Sequence, residues 1–462
     1  MTARQKAPAL ERRRQHKYIP ATDAEREEML RVIGVRSIDA LFADIPAAVR
    51  LQRPLALPPA LSDPEVLAQL TAMAARNTHA DAAPTFLGAG AYDHYIPSVV
   101  WHLAGRGEFL TAYTPYQAEM MQGELQAGYE YQSMLCALTA MDVANASMYD
   151  GASATAEAAV MAKDLTKRGE VVVSTAVHPE YREVLRTYTA PLGITVVEAP
   201  QRAGRTDLSA LRAAVSGRTA AVIIQHPNFF GSLEDGPAAA ALAHGAGALL
   251  ICAIADPLSL GLLTPPGEWG ADIVAGEGQP LGNHLNFGGP YLGMLATRQD
   301  FVRRMPGRLV GATVDTDGRR GFVLTLQTRE QHIRREKATS NICTNEALLA
   351  LAAAVYMAAL GRTGVRKVAE LNLYKAAYAK ERLSALPGFR LMFEGPTFHE
   401  FVIRTPRPPE ELNRALRARG IIGGAPLGRW YPDLADGWLL CVTEQRTREQ
   451  IERLVDVLEG LR

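Results

Sequence analysis

Apolar residues in the middle of the chain come in short unbroken runs rather than in strict alternation. Such runs lie at residues 171–175, 194–198, 220–225, 248–253 and 272–275, and the stretches between them have a helical pattern. Strands that are apolar on both faces are typical of parallel sheets covered by helices on both sides. The pattern therefore predicts an α/β unit built around a mainly parallel sheet.

Capping residues mark several helices. Thr22 can cap a helix that runs through Val32, Pro179 and Glu180 suit a first helical turn, and Asp207 can cap a helix over 208–215. The residues after the first helix are interrupted by prolines. We therefore interpret residues 1–80 as a helical arm.

The C-terminal third has a different pattern. A helix rich in alanine and leucine is predicted over 345–360 and should end at Gly361. Beyond it, strand candidates alternate with helix candidates, a pattern typical of a small α+β domain. The strand candidates are 389–393, 400–403 and 438–442, and the helix candidates are 410–417 and 447–458. We expect a large domain over 81–330 and a small one over 331–462.

Composition narrows the range of partners. The 462 residues include 49 Lys and Arg against 49 Asp and Glu, so the net charge is zero and attracts neither nucleic acid nor an anionic membrane. Four scattered cysteines indicate reduced thiols of a cytosolic protein rather than a disulfide frame or zinc site. Residues 1–17 lack the apolar run of a secretory signal, and we predict no membrane span.

Three short segments have residue types that suit a cofactor. The turn Gly151–Ser153, which leads into a helix, can bind a phosphate, although ordinary capping explains it equally well. Asp256 follows the most apolar strand, where an acid can pair with a protonated ring nitrogen or simply cap a turn. His178 and His226 also follow strands; His178 can stack on a flat ring, and either can be an ordinary turn histidine. No metal-type spacing is present.

Lysine is absent from a long part of the chain. It occurs at 6, 17, 163, 167, 337, 367, 375 and 380, so residues 168–336 contain none. The glycine-rich stretch 286–294 is explained by a turn into a strand. Gly88-Ala-Gly90 does not continue as a dinucleotide-binding motif. Two segments dense in aromatic and polar residues, 91–97 and 113–117, line a pocket or pack in an interface.

Taken in order, four segments resemble the P-protein family of the glycine cleavage system, in the form that bacteria divide into two chains, and specifically its α subunit. They are Gly90-Ala-Tyr-Asp-His-Tyr-Ile-Pro97, Tyr113-Thr-Pro-Tyr-Gln117, Asn286-Phe-Gly-Gly-Pro-Tyr-Leu-Gly293 and Leu326-Gln-Thr-Arg-Glu-Gln-His-Ile-Arg-Arg-Glu-Lys-Ala-Thr-Ser-Asn-Ile-Cys343. The resemblance implies an aspartate-aminotransferase-like fold (pyridoxal-phosphate fold type I), with a mainly parallel large domain and a small C-terminal α+β domain.

The resemblance also implies a reaction: glycine is decarboxylated on pyridoxal phosphate, and the aminomethyl group passes to the lipoyl arm of H-protein. In this fold the Schiff-base lysine follows the strand after the ring-nitrogen aspartate, but residues 272–293 contain no lysine. An amino group is what connects this cofactor to its protein. We therefore expect a homologous β subunit to hold the cofactor covalently, in an assembly of two α and two β chains that is inactive without β.

Residues of this chain are then expected to complete the partner's pocket for glycine and the lipoyl arm. The candidates are Tyr92, Asp93, His94, Tyr95, Tyr113, Thr114, Tyr116 and Gln117. Lys337, Thr339, Ser340 and Asn341 are candidates for contacts to the cofactor phosphate, or they form a junction between domains. Gly151, Ser153, His178 and Asp256 would be remnants of a cofactor site.

Two alternatives remain open from the sequence. The chain could be a self-sufficient enzyme that uses Lys337, although that residue lies in the strongly charged segment 334–337 beyond the sheet. It could also be a scaffolding or regulatory subunit that contributes nothing to the pocket. No metal and no nucleic acid is expected in any of these cases.

Overall fold

The computed structural model describes residues 20–51, 53, 55–110, 113–286 and 288–461. The basic stretch 1–17, Pro54 and Phe287, which the sequence analysis used, lie outside the described residues. Residues up to Asn77 form one compact unit, and residues from Thr78 onward form another.

The elements are numbered in chain order. The α-helices are α1 (Asp23–Ile33), α2 (Asp63–Ala74), α3 (Ser98–Ala104), α4 (Gln122–Thr139), α5 (Gly151–Thr166), α6 (Pro179–Thr189), α7 (Leu208–Ala214), α8 (Gly236–Gly245), α9 (Gln331–Arg334), α10 (Ala347–Ser384), α11 (Pro409–Arg417) and α12 (Arg448–Glu459). The strands are β1 (Val143–Ala144), β2 (Glu170–Ser174), β3 (Thr195–Ala199), β4 (Gln201–Arg202), β5 (Arg205–Thr206), β6 (Thr219–Gln225), β7 (Leu249–Ile254), β8 (Ile273–Glu277), β9 (Gly293–Thr297), β10 (Leu309–Val314), β11 (Arg320–Thr325), β12 (Arg390–Leu391), β13 (Glu400–Arg404), β14 (Ala425–Pro426) and β15 (Gly437–Cys441).

The central sheet confirms the prediction from the apolar runs. Its strand order is β1-β9-β8-β7-β6-β2-β3, and the strands from β8 to β3 are parallel, whereas β9 runs antiparallel to both neighbours. Every residue of β2, β6 and β8 is buried. Helices such as α5 and α8 cover the sheet, which explains why its strands are apolar on both faces.

The arm is stabilised locally rather than by a core of its own. Thr22 caps α1 as predicted: Glu25 N donates to its hydroxyl at 3.3 Å, while Thr22 N donates to the Glu25 carboxylate at 2.6 Å. Ser62 and Glu65 form a second capping box at α2. No residue of either helix is buried within this unit, and apolar side chains such as Leu67 are exposed.

The long helix corrects one prediction. The helix expected to end at Gly361 does break there, with φ 60° and ψ −179°, but it resumes and continues to Ser384. Its first part packs Leu349 and Tyr356 into the core of the large domain, and its second part packs Leu383 against the small sheet. By length and composition α10 could also cross a membrane, yet these buried contacts are typical of a core helix.

Two smaller sheets, β10-β11 and β12-β13-β15-β14, follow the central sheet in the chain, whereas the two-stranded sheet β4-β5 lies between β3 and β6. β12-β13-β15-β14 is an antiparallel sheet covered by α11 and α12, close to the predicted strands and helices. The hairpin of β10 and β11 is not among the predicted elements, although Asp317-Gly318 between apolar residues is a known hairpin signal. The domain limits at 80 and 330 remain a prediction.

Candidate active site

Polar side chains gather at the C-terminal edge of the parallel strands. His178 follows β2, Asp256 follows β7 and Glu277 ends β8. Open α/β sheets bind ligands at this edge. Each of these three side chains is buried, so each needs a partner within the protein or in a ligand.

Asp256 finds its partners within the chain. Its Oδ1 accepts a hydrogen bond from Leu258 N at 2.9 Å, and its Oδ2 lies 3.2 Å from His94 Nε2 and 2.7 Å from His399 Nε2. Burial favours a raised pKa, but the two histidines outweigh it and hold the pKa of Asp256 well below its usual range. Asp256 is therefore an ionised carboxylate with both oxygens engaged.

His94 bridges two carboxylates. Its Nδ1 lies 2.8 Å from Glu444 Oε2, while its Nε2 faces Asp256. Burial alone would lower the pKa of His94, but Glu444 and Asp256 together raise it to about 10. We call His94, Asp256, His399 and Glu444 the histidine cluster. The nitrogens and oxygen of its first three members are spaced as metal ligands can be, but binding there would have to displace the proton on His94.

His178 is equally occupied. Its Nδ1 accepts from Glu180 N at 3.1 Å as the cap of α6, and its Nε2 lies 2.8 Å from Ala89 O, which requires Nε2 to be the protonated nitrogen. Burial lowers the pKa of His178, consistent with a neutral ring. Tyr181 stacks on this ring at 4.9 Å, and Phe229 approaches edge-on. His178 thus has no open face for a flat cofactor.

His226 plays a structural role. Its Nδ1 accepts a hydrogen bond from Glu234 N at 3.1 Å, so this nitrogen carries no proton. Burial lowers the pKa of His226 to about 4, so the ring is neutral near pH 7. His226 therefore orders the turn that leads into α8.

The turn at Gly151 binds carboxyl groups of the chain itself. Gly151 N donates to Glu277 Oε2 at 3.0 Å, and Ser153 N donates to the Asp150 carboxylate at 2.7 Å. Burial raises the pKa of Glu277 to about 8, although its backbone N–H donors lower it. Two of the N–H groups at the start of α5 that could bind an anion are therefore taken.

The segment 92–95 is divided by burial. Tyr92 and His94 are buried, and Tyr92 donates through its hydroxyl to Glu400 Oε2 at 2.8 Å. Asp93 forms an ion pair with Arg446. Tyr95, in contrast, is 52% exposed and uses only its backbone N–H, which donates to Glu444. Of the residues 92–95, Tyr95 alone has a largely exposed side chain.

A cavity of about 330 Å³ lies beside the second predicted segment. Tyr113 lines it, together with apolar residues of α4, β10, β11 and the start of α10. Arg308 supplies a buried cation: it donates to Tyr116 OH and to Asn345 Oδ1, both at 3.0 Å. We call this cavity the tyrosine pocket; its lining is Phe109, Leu110, Tyr113, Pro115, Glu124, Ala127, Gly128, Ala146, Arg308, Val310, Leu324, Asn345, Glu346, Ala347, Leu348, Ala350 and Leu351.

Polar atoms of the tyrosine pocket and its wall remain unpaired. Within the described part of the chain, Arg308 Nε, Glu124 Oε1 and Thr114 Oγ1 are buried without a hydrogen-bond partner. Burial raises the pKa of Glu124. Buried polar atoms of this kind are stabilised when a ligand or another chain supplies a partner. Gln117, next to Tyr116, is exposed.

The residues predicted to contact the cofactor phosphate lie in a separate cleft. Lys337, Thr339, Ser340 and Asn341 line a cleft of about 860 Å³ over α5, which also contains Lys163, Lys167, Arg168 and Arg304. Burial raises the pKa of Glu157, at its base, to about 7, opposed by a hydrogen bond from Ser340. Lys337 is therefore in a basic cleft and is not among the residues around Asp256.

Several partners at these sites were not identified from the sequence. His399, Glu400 and Glu444 come from the small domain, and Arg308 precedes β10. No spacing connects them to residues 92–95 or 116, since they lie 192 or more positions apart in the chain. For Glu277 a signal existed: an acid that ends an otherwise apolar strand is unusual enough to mark a site.

The central parallel sheet, its buried polar edge and the small C-terminal sheet domain define a pyridoxal-phosphate enzyme fold of type I, as expected. The sphingosine-1-phosphate lyase of Burkholderia pseudomallei has this fold at a TM-score of 0.65, with 18% identity over 90% of this chain and 94% of that one. A crystal structure of glycine decarboxylase (P-protein) in inhibitor-bound form is much nearer, with a TM-score of 0.90, 47% identity and coverage of 97% and 100%.

The sequence comparisons agree. The model of the glycine cleavage system P-protein family matches residues 16–458. The probable glycine dehydrogenase (decarboxylating) subunit 1 of Desulforamulus reducens is 55% identical over 95% of this chain and 98% of that protein. The chain belongs to the glycine cleavage system P-protein family, which confirms the resemblance drawn from its motifs.

The strand edge of this chain does not fit pyridoxal phosphate. Asp256 is paired with two histidines, His178 is covered on its face, and Gly151 N is bound by Glu277. The segment that follows β8 carries no lysine. No chemical step is therefore assigned to a cofactor at this position.

Proposed function

We propose that this chain is the first, lysine-free subunit of a two-chain glycine dehydrogenase (decarboxylating), the P-protein of a glycine cleavage system. A homologous second subunit holds pyridoxal phosphate covalently and is required for activity. The observation that carries this proposal is the strand edge, which has no lysine and whose ligand-type groups are paired within the chain. The assembly we expect contains two chains of each kind and is cytoplasmic.

The tyrosine pocket is this chain's contribution to the shared site. Its walls are mostly apolar, with leucine, valine and phenylalanine side chains, while Arg308 and Glu124 supply polar groups. Such a lining suits an alkyl arm that ends in a small polar group. We assign it to the lipoyl arm of H-protein and to glycine, with Tyr113, Thr114, Tyr116 and Gln117 at the opening.

Tyr95 belongs to the same proposal, whereas its neighbours act differently. Tyr95 is exposed and free to face the second subunit, but Tyr92, Asp93 and His94 are held by groups of this chain. They position the segment from which Tyr95 projects. Their contribution to the pocket is therefore indirect.

The basic cleft is the proposed phosphate contact. Lys337 and Lys163 of α5 supply positive charge close to the hydroxyls of Thr339 and Ser340. Two further cations of the cleft, Lys167 and Arg304, are paired with Asp164. A phosphate is bound by this combination of cations and hydroxyl donors. We propose that the segment 337–341 contacts the cofactor phosphate held by the second subunit.

Borohydride trapping tests the division of labour. The purified chain and the complete complex are each incubated with pyridoxal phosphate, reduced and digested, and labelled peptides are identified by mass spectrometry. We expect one lysine per pair of chains to be labelled, always in the second subunit. Stoichiometric labelling of Lys337, or of any lysine here, would support a self-sufficient enzyme and overturn the proposal.

Reconstitution tests the contribution to the pocket. Arg308→Lys is assayed in the complex by glycine–bicarbonate exchange, because lysine keeps the charge but loses the planar donor set. Arg218→Lys is the matched control, because the side chain of Arg218 is exposed and pairs with the buried Glu170 away from the pocket. We expect a loss of activity from the first substitution alone. Equal activity of both variants would favour a scaffolding subunit.

A further inference from the structure

Glu277 makes an unusual set of contacts for a buried acid. Its Oε2 accepts from Gly151 N at 3.0 Å, and its Oε1 accepts from Gln279 N and from Leu292 N, each at 2.9 Å. The three donors come from three separate segments: the start of α5, the turn after β8 and the residue before β9. Backbone N–H groups that converge on one carboxyl group in this way suit an anion, and we call these three donors the amide nest.

The location of these three N–H donors in the fold also indicates a place suited to an anion. The amide nest lies at the N-terminus of α5, a helix of 16 residues, at the edge of the sheet where ligands bind in this class of fold. A β-carbon at Gly151 would lie 2.1 Å from Tyr181 OH and 2.9 Å from Glu277 N. The turn is therefore closed on one side by Tyr181 and on the other by the strand that bears Glu277.

We propose that Glu277 takes the place of a phosphate at the turn of this chain: its carboxyl oxygens occupy the three N–H donors and thereby keep the cofactor phosphate out of this turn. The inference goes beyond the reaction proposed above, because it concerns binding at this chain's own turn. It rests on the proposed two-subunit assembly, but it does not require that this assembly decarboxylates glycine.

Two independent contacts point the same way. The histidine cluster neutralises Asp256 with side chains from residues 94 and 399, and Tyr181 covers the face of His178. Each group that would otherwise face a cofactor has thus been given a partner from the same chain. Glu277 is the member that competes with an anion directly, because it occupies the N–H donors themselves.

The test compares Glu277→Gly with Glu277→Gln in the complete two-subunit complex. Glycine removes the carboxyl group and leaves the three N–H donors facing a small space, whereas glutamine still fills that space. Inorganic phosphate is titrated by calorimetry into the wild-type complex and both variants. We expect Glu277→Gly to bind one phosphate more per copy of this chain than the wild-type complex or Glu277→Gln.

The same titration decides against the proposal in two ways. If Glu277→Gly assembles but binds no more phosphate than the wild type, the nest is not an anion site. If Glu277→Gln gains the same phosphate, the space is not closed by the side chain. Should the glycine variant fail to assemble, Glu277→Ala takes its place, since alanine also uncovers the donors and restricts the backbone more.

Discussion

The histidine cluster and the tyrosine pocket treat their polar groups in opposite ways. In the cluster, His94 is hydrogen-bonded to the carboxylates of Asp256 and Glu444. His399 Nε2 forms an ion pair with Asp256 Oδ2 at 2.7 Å, although its orientation is not that of a hydrogen bond. In the pocket, buried atoms of Arg308 and Glu124 have no partner within the described part of the chain. A residue of a type that often binds ligands has a structural role where the chain itself supplies its hydrogen-bond partners. A buried polar group that lacks such partners marks where a second molecule is needed.

The largest effect on stability is expected from removing the carboxylate of Asp256, at the centre of the histidine cluster. Asp256→Ala leaves a charged His94 in a buried site with one of its two counter-charges gone, and His399 loses its contact. We expect the free energy of unfolding to fall by about 3–5 kcal/mol, the usual cost of breaking a buried ion pair. Urea unfolding of the purified chain measures it.

Glu370→Ala is the control for that substitution. Glu370 pairs with Arg366 on the exposed side of α10, where such a pair is worth about 0.5 kcal/mol or less. A similar loss from both variants would mean that the histidine cluster carries no special stabilisation.

A second substitution fills the tyrosine pocket with a bulky side chain. Ala127→Phe places a ring in the cavity without removing any polar contact of the cluster. We expect glycine–bicarbonate exchange to fall about 100-fold, as blocked or displaced substrates do, while the complex still assembles. Ala213→Phe, on an exposed position of α7, should leave the exchange rate unchanged. Full activity of Ala127→Phe would show that the cavity is not used.

The stability that the histidine cluster provides is expected to depend on pH. Because the folded-state pKa of His94 is raised to about 10, its stabilisation is complete below the unfolded value and is lost as the pH rises through the folded value. We expect the stability advantage of the wild type over His94→Gln to shrink by about 1 kcal/mol per pH unit between pH 7 and 9.

Unfolding midpoints at several pH values check this. His102→Gln, at an exposed position of α3, is the control and should show the same slope as the wild type. An advantage that stays constant across the range would mean that His94 is not held as an imidazolium by Asp256 and Glu444.

The smallest effect is expected from a substitution beside the tyrosine pocket. Tyr116→Phe removes the hydroxyl that accepts from Arg308 at 3.0 Å and leaves the ring in place. We expect kcat/KM for glycine to fall about 10-fold, the loss of one hydrogen bond to a charged group, with the unfolding midpoint nearly unchanged. Tyr374→Phe, exposed on α10, is the matched control. Equal rates for both variants would remove Tyr116 from the proposed site.

Much of the architecture could be predicted from local pattern. The runs that became β2, β6 and β7 were apolar on both faces, and Thr22 and Asp207 cap helices as predicted. Such signals are local, because burial and capping depend on neighbouring residues. The break at Gly361 was also local, but whether the helix resumed depended on packing against the small sheet.

The sites were less predictable. The aromatic segments were identified, but the sequence did not distinguish Tyr92, which is buried, from Tyr95, which is exposed. Partners such as Glu400 and Glu444 come from more than 300 residues away, and no spacing indicates them. Side-chain pairing across such distances follows from tertiary packing, which local pattern does not contain.

The order of strands and helices, the family, and the lack of a lysine where the cofactor would need one could all be inferred from the sequence alone. These are properties of residue type and order. The tertiary structure alone decided what the remaining groups do: it turned Asp256 towards His94 and His399, placed Glu277 on the amides of the Gly151 turn, and left Arg308 facing a cavity. The physical reason is that a buried polar group acquires its role from whatever the fold brings within hydrogen-bond distance.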